Sequence, residues 1–579
     1  MTSLPHLTPG QPSIRIRQGL SRALPLTIAL MLGACTSTPL PPWPASGAKV
    51  TPPKAETAAQ LPSGASTPAD QPVATAVAPI AASTAATPLE TAAVAAHFPD
   101  PPVQYDTPGL RSGRRAFSTN AEVSEWLRDL AQAPQSGVNA RLMDLGHSQG
   151  GIAIQALALS AGARSGDKSL QSNGRPTVLL VGQQHGDEPA GGEALMVIAR
   201  ELAQGLLEPM LQRINVVIVV RANPDGAAND IHATANGTDL DRDHLDLRTP
   251  EAQALARLIS TVRPNVIADV HEYPVAVVKS AEGDWLPGYD ILLQYATAPN
   301  VPGFITKAAQ EWYLRPMLKA LDASQLTHEW LYRLEPSDSG LSAVTGDALP
   351  QTLRNLGGLQ NAVSLEIASR GSNLGAAHIQ RRVHSLVLAL SSVLRSTTER
   401  GGDLLQVQTF VARDIASKAC QSTVAIQASP TTSQRELSLM DAETGAITSR
   451  KVSWTSTLQL HADVERPRPC GYWLAGDSAV AEPLRMLGLQ VMRIAEAGSI
   501  LTETFSTGTA NAPAPEVLRQ TVDAPAGSYY VGLSQSLANV AAAALESGTS
   551  FGYPGTGRLA PGASARVINN PSLVFDDTE

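Results

Sequence analysis

Apolar residues fall along this chain in short β-branched and leucine runs separated by longer stretches of helical spacing. The runs VLLVG (178–182), INVVIVV (214–220), NVIADVHEY (265–273), DILLQYA (290–296) and AVSLEIASRG (362–371) read as buried strands. Segments 193–205, 251–262, 307–323 and 377–394 repeat apolar residues at helical intervals. Strands alternating with helices predict an α/β fold with a mixed, mostly parallel central sheet flanked by helices. Ahead of this core, 121–133 has the spacing of an amphipathic helix, and 141–160 reads as two strands around a turn. Beyond Gly401 the pattern changes to alternating short runs: LLQVQTFVA (404–412), TVAIQA (423–428), ELSLMD (436–441), KVSWTSTLQLHADV (451–464) and GSYYVGLSQ (527–535). These predict a strand-rich C-terminal region, either an extension packed on the core or a β-domain.

The front of the chain is built differently. Residues 14–34 set arginines before an apolar stretch too short to span a bilayer comfortably, as in a secretory signal, and that stretch ends at Cys35. Leu32-Gly33-Ala34-Cys35 resembles a bacterial lipoprotein box, which implies a lipid anchor on Cys35; Thr36 after it implies outer-membrane retention. Proline, alanine, threonine and serine then dominate, a composition with too little apolar surface to offset ordering entropy. The expected organisation is a signal at 1–35, a tether at 36–104, a catalytic domain at 105–400 and the strand-rich part at 401–579. The expected location is the bacterial cell envelope, with the protein anchored in the outer membrane facing the periplasm, or secreted. An oxidising periplasm would permit Cys420 and Cys470 to pair. A net charge of −9 gives no basic surface to recommend a nucleic-acid partner.

Candidate chemistry gathers where the predicted strands end. HGDE (185–188) follows the first run, with Gly186 and Pro189 closing the strand before a helix. NPDG (223–226) follows the second, the polar stretch NGTDLDRDH (236–244) comes next, and NVIADVHEY ends at His271 and its neighbours. In open α/β sheets, side chains at the carboxyl ends of adjacent strands face one crevice. Imidazole and carboxylate are ordinary zinc ligands, and a catalytic zinc takes three protein ligands and keeps one open position. A different site is offered by GHSQG (146–150), which matches the nucleophile elbow around Ser148; the alternating residues after it read equally well as a hairpin.

HGDE, NPDG, NGTDLDRDH, DVHE (269–272) and AVSLEIASRG, in this order and spacing, resemble the zinc metallocarboxypeptidases of the carboxypeptidase A type over about half the chain. The resemblance implies a zinc ion held by His185, Glu188 and His271, with Asp239 accepting the other ring N–H of His185. It implies Arg242 as the group that grips the substrate carboxylate, and Glu366 as the general base that moves a proton from water to the leaving nitrogen. The substrate would be a peptide or an acyl-amino acid. Three positions depart from the family's usual residues. Asp241 stands where asparagine is common, His232 where an arginine polarises the scissile carbonyl, and Ala368 where the glutamate often lies, with Glu366 two residues earlier on the same strand face. Tyr332 could match the family's mobile tyrosine, or simply pack; His244, on a polar loop, has no role and reads as exposed. Other readings are a deacylase of the aspartoacylase or succinylglutamate desuccinylase type, a cell-wall peptide hydrolase, and a catalytically impaired peptide-binding module.

Overall fold

The structure is a computed structural model that describes residues 90–114, 116–162, 170, 173–337, 340–505 and 517–576. The signal, the Cys35 anchor and most of the tether lie outside the described residues. Among the described residues, no helix is long and apolar enough to cross a membrane.

Eight strands form the central sheet, in the order Val138–His147, Ala153–Ala161, Asn215–Val219, Thr177–Gly182, Val266–Tyr273, Val363–Arg370, Ile291–Tyr295, His328–Trp330. The four strands from Asn215–Val219 to Val363–Arg370 run parallel, and antiparallel pairs flank them on either side. This is the mixed, mostly parallel sheet that the apolar runs predict. Val178, Leu179, Leu180, Val216, Val217 and Ile218 are fully buried, because helices cover both faces of such a sheet. One covering helix is Pro189–Gln204, with proline at its first turn; another is Pro250–Val262, capped by Thr249, whose hydroxyl accepts the Ala252 N–H.

Parallel strands leave their ends together. In register, Val181 lies opposite Asp269, Asp269 opposite Glu366, and His271 opposite Ala368. The HGDE turn, the end of Val266–Tyr273 and the middle of Val363–Arg370 therefore meet along one edge. The NPDG segment closes against them as the helix Pro224–Asn229, where Asn223 caps Gly226 N and also donates to Gln184 O at 3.1 Å. The two segments approach so closely that a Cβ on Gly186 would stand 2.0 Å from Gly226 C.

The long helix Ile379–Ser417 corrects the expected boundary at Gly401. LLQVQTFVA is helical within it: Leu404, Val411 and Ile415 are buried and Val407 is partly so, a spacing of three to four residues that outweighs the local alternation. Strands begin at Thr423, where Thr423–Asp441 and Ile447–Pro467 form a long antiparallel hairpin. This hairpin joins Tyr332–Ser337, Gly340–Thr345, Gly283–Pro287 and Val278–Ser280 in a second six-stranded sheet, and a third sheet follows between Gly471 and Val567. The C-terminal part is an extension of the body: Tyr472, Leu474 and Val531 share one apolar core with the central sheet, and Tyr553 Oη donates to Leu245 O at 2.8 Å. A disulfide joins Cys420 to Cys470.

The tether is also shorter than its composition predicts. Residues 90–104 pack on the body through Val94 and Phe98, which are buried with Val275, Leu286 and Met440. Glu90 accepts from Arg370 Nη2 at 2.8 Å and pairs with His378 Nε2 at 2.6 Å. A few well-placed anchors are enough to order a segment poor in apolar residues.

Gly186→Ala is expected to cost about 1–3 kcal/mol, because backbone must move to admit the methyl group. Urea denaturation of the two proteins measures this, and an unchanged midpoint would show that the turn is not held against Gly226.

Candidate metal centre and cleft

Glu188 is the first residue of the helix-forming segment that follows the strand Thr177–Gly182, and its carboxylate turns back from the helix toward two imidazoles. Oε1 lies 2.8 Å from His185 Nδ1, and Oε2 lies 2.9 Å from His271 Nδ1. Oε2 also accepts the Glu272 N–H at 3.0 Å, which fixes the carboxylate against the neighbouring strand. All three side chains are buried, and their ligand atoms lie within 4.8 Å of one another.

The outward ring nitrogens each face a carboxylate. His185 Nε2 is 3.1 Å from Asp239 Oδ1, and His271 Nε2 is 3.1 Å from Asp269 Oδ1, though not aligned for a hydrogen bond. In their neutral forms, with the proton on Nε2, the rings would turn the Nδ1 lone pair toward the Glu188 side, the arrangement a cation needs. Burial works against charge here. For His185 the Glu188 and Asp239 carboxylates outweigh it and lift the ring to about 10, while the two rings hold Glu188 well below the usual carboxylate range. Two imidazole nitrogens and a carboxylate converging with further carboxylates behind the rings fit a zinc ion with an open coordination position.

A cleft of about 710 Å³ opens onto this cluster. Glu366 lines it, and so does Ala368, two residues along the same strand, so the earlier glutamate does reach the side of the sheet that faces the cleft. Glu366 Oε2 accepts from Arg354 Nη1 at 2.6 Å. Arg242 also lines the cleft, half-exposed, with Nη1 against Asp347 Oδ2. Asp241 is buried beneath it and accepts the Leu353 N–H at 3.3 Å. Burial, and then the nearby Asp269 carboxylate, push the Asp241 carboxyl above the usual range, toward its neutral form. His232 stands at the rim and not in the cleft wall. Its ring stacks on His185 at 3.6 Å with an 18° tilt, and its Nδ1 is 3.3 Å from Asp187 Oδ1. Tyr332 lines the cleft but is packed between Tyr289 and Trp454, with its hydroxyl buried and unbonded.

Several functional neighbours escape a reading of the sequence. Arg354 is an almost fully buried arginine in the short helix Leu353–Leu359; a lone charge among apolar residues just before the glutamate strand was the available signal. Asp347 carried no signal. His244 corrects the expectation of an exposed loop residue: it is buried, its Nε2 lies 2.5 Å from Gln184 Oε1, and Gln184 Nε2 donates to Asp269 Oδ1 at 2.7 Å. Burial lowers the His244 ring to about 4, so it is neutral at ordinary pH. Ser148 sits in a turn between two antiparallel strands, and not before a helix. Its hydroxyl donates to Asp225 Oδ1 at 2.9 Å, so the residues around it form a hairpin and no nucleophile elbow.

Residues 123–280 match the family model described as zinc carboxypeptidase. The chain is 22% identical over 393 residues to the probable carboxypeptidase 2 of Trichophyton verrucosum, covering 65% of this chain and 75% of that protein. Among solved structures it is similar to a metallo-carboxypeptidase from Burkholderia cenocepacia, at 16% identity and a TM-score of 0.36 over 48% of this chain and 68% of the other. It is also similar to carboxypeptidase A from Helicoverpa armigera, at 14% identity and a TM-score of 0.38 over 52% and 77%. The matched segment contains the HGDE turn, the polar stretch with Arg242 and the strand Val266–Tyr273 with His271, and with the related carboxypeptidase it supports an enzyme built on a zinc carboxypeptidase domain.

Proposed function

We propose that the enzyme hydrolyses a peptide bond next to a free carboxylate, with His185, Glu188 and His271 holding one zinc ion. The observation that carries this reading is the convergence of His185 Nδ1, His271 Nδ1 and the Glu188 carboxylate at the mouth of a cleft that also contains Glu366 and Arg242. Zinc, when bound, supplies a Lewis acid that makes water nucleophilic near neutral pH and polarises the scissile carbonyl.

The chain's own residues do the rest. Asp239 orients the His185 ring and raises its basicity through Nε2. Glu366 accepts the proton of the attacking water and delivers it to the leaving nitrogen. Arg354 holds only Oε2 of that carboxylate, so Oε1 serves for proton transfer while the side chain stays oriented. Arg242 draws in the terminal carboxylate of the substrate by charge and by its planar donors. A neutral Asp241 beneath it removes the repulsion a second carboxylate would impose there. His232, stacked on His185, supplies a hydrogen-bond donor for the developing oxyanion, smaller than the arginine it replaces.

We further propose that the enzyme works in the bacterial cell envelope, tethered by a lipid on Cys35. The Cys420–Cys470 disulfide supports an oxidising compartment.

About one zinc per chain is expected by mass spectrometry of the metal-loaded protein, with loss from His185→Ala and from His271→Ala; retention in both variants would place the metal elsewhere. Glu366→Gln should keep its zinc and lose on the order of 10²–10⁴ in kcat with little change in KM. Full activity in that variant would remove Glu366 as the base. A peptide with a free C-terminus should be cleaved far faster than its C-terminal amide, and equal rates would point to amidase or deacylase action.

A further inference from the structure

The group proposed to grip the substrate carboxylate already holds one. Arg242 Nη1 contacts Asp347 Oδ2, and the pair lines the same cleft as the metal cluster. We infer that Asp347 is a specificity-determining residue, a resident carboxylate that occupies Arg242 in the free enzyme and yields to the terminal carboxylate of a peptide. The inference rests on the proposed role of Arg242 and deepens it.

Asp347 is built into this position. Its Oδ1 accepts the Leu349 N–H at 3.0 Å, which forms a local turn, and its carbonyl oxygen accepts from Arg354 Nη2 at 2.8 Å, Asn355 Nδ2 at 3.2 Å and Thr297 Oγ1 at 3.2 Å. The backbone is thereby fixed, and Oδ2 is the atom given to Arg242. When a substrate takes Arg242, the displaced charge keeps a second cationic neighbour, since Arg354 Nη2 lies 3.9 Å from Oδ1. The exchange replaces one carboxylate on Arg242 by another and leaves neither Asp347 nor Arg354 without a countercharge.

Competition of this kind lowers the net gain from the substrate's carboxylate. More of the discrimination then falls to side-chain contacts with the apolar part of the cleft, where Leu331, Leu334, Val344 and Leu349 lie. The substrate class that fits is a peptide with a free C-terminus and an apolar residue beside the scissile bond.

The test compares the full chain with Asp347→Asn and Arg242→Ala, using a peptide as its free acid and as its C-terminal amide. Asp347→Asn should lower KM for the free acid on the order of tenfold, leave kcat within about twofold, and leave the amide unchanged. Calorimetric titration of the free-acid peptide into zinc-free protein repeats the comparison without turnover, and Asp347→Ser serves as a second variant if the asparagine protein folds poorly. An unchanged or raised KM, with unchanged or weakened affinity, in both Asp347 variants, while Arg242→Ala weakens binding of the acid, would overturn the competition and make Asp347 a group that orients Arg242. If Arg242→Ala leaves the free acid unaffected, the carboxylate-anchor reading itself fails, and the inference fails with it.

Discussion

The structure depends on one carboxylate pinned between two imidazoles. Glu188 reaches both Nδ1 atoms only because the HGDE turn closes the strand Thr177–Gly182 beside the end of Val266–Tyr273, and because the Glu272 N–H fixes the carboxylate from the second strand. That closure needs Gly186 bare against the helix Pro224–Asn229 and Asn223 capping the helix while bonding the turn. Behind the rings, Asp239 and Asp269 supply negative charge, and Gln184 and His244 complete a buried polar chain. Such a cluster is costly to bury unless its charges are balanced, so a divalent cation suits it chemically.

From this cluster an alternating row of charges runs through the cleft: Glu366, Arg354, Asp347 and Arg242. The row joins the proposed base to the proposed substrate anchor through side chains from the glutamate strand, the short helix before it, the loop at Gly346 and the stretch at Asp239. Each charge has an opposite partner, which lets charged groups remain in a partly buried wall. The C-terminal extension finishes the enclosure, since Thr457 and Leu460 of the long hairpin and Phe551 line the same cleft. An extension that carries no visible chemistry in its sequence thus shapes what the cleft admits.

The legible parts of the chain were those fixed by local pattern. Buried strands announced themselves as β-branched runs, and chemistry at strand ends followed from how parallel sheets are built, so His185, Glu188 and His271 could be expected along one edge. Glu366 and Ala368 could be compared because a strand repeats its face every second residue. The misread parts depended on tertiary partners. LLQVQTFVA alternates like a strand, yet Leu404, Val411 and Ile415 pack one helix stripe against the core. Residues 90–104 look like tether by composition, yet Val94, Phe98 and Glu90 find sites on the body. His244 and Asp347 take their roles from residues far along the chain, which no spacing rule records.

The proposed zinc would sit between His185, Glu188 and His271. The most direct measurement is anomalous diffraction from crystals of the zinc-loaded enzyme, recorded on both sides of the zinc absorption edge. One strong peak is expected beside His185 Nδ1, His271 Nδ1 and a Glu188 oxygen, at ordinary zinc–ligand distance. A peak centred on Asp241 and Asp269, or none near His185, would contradict it.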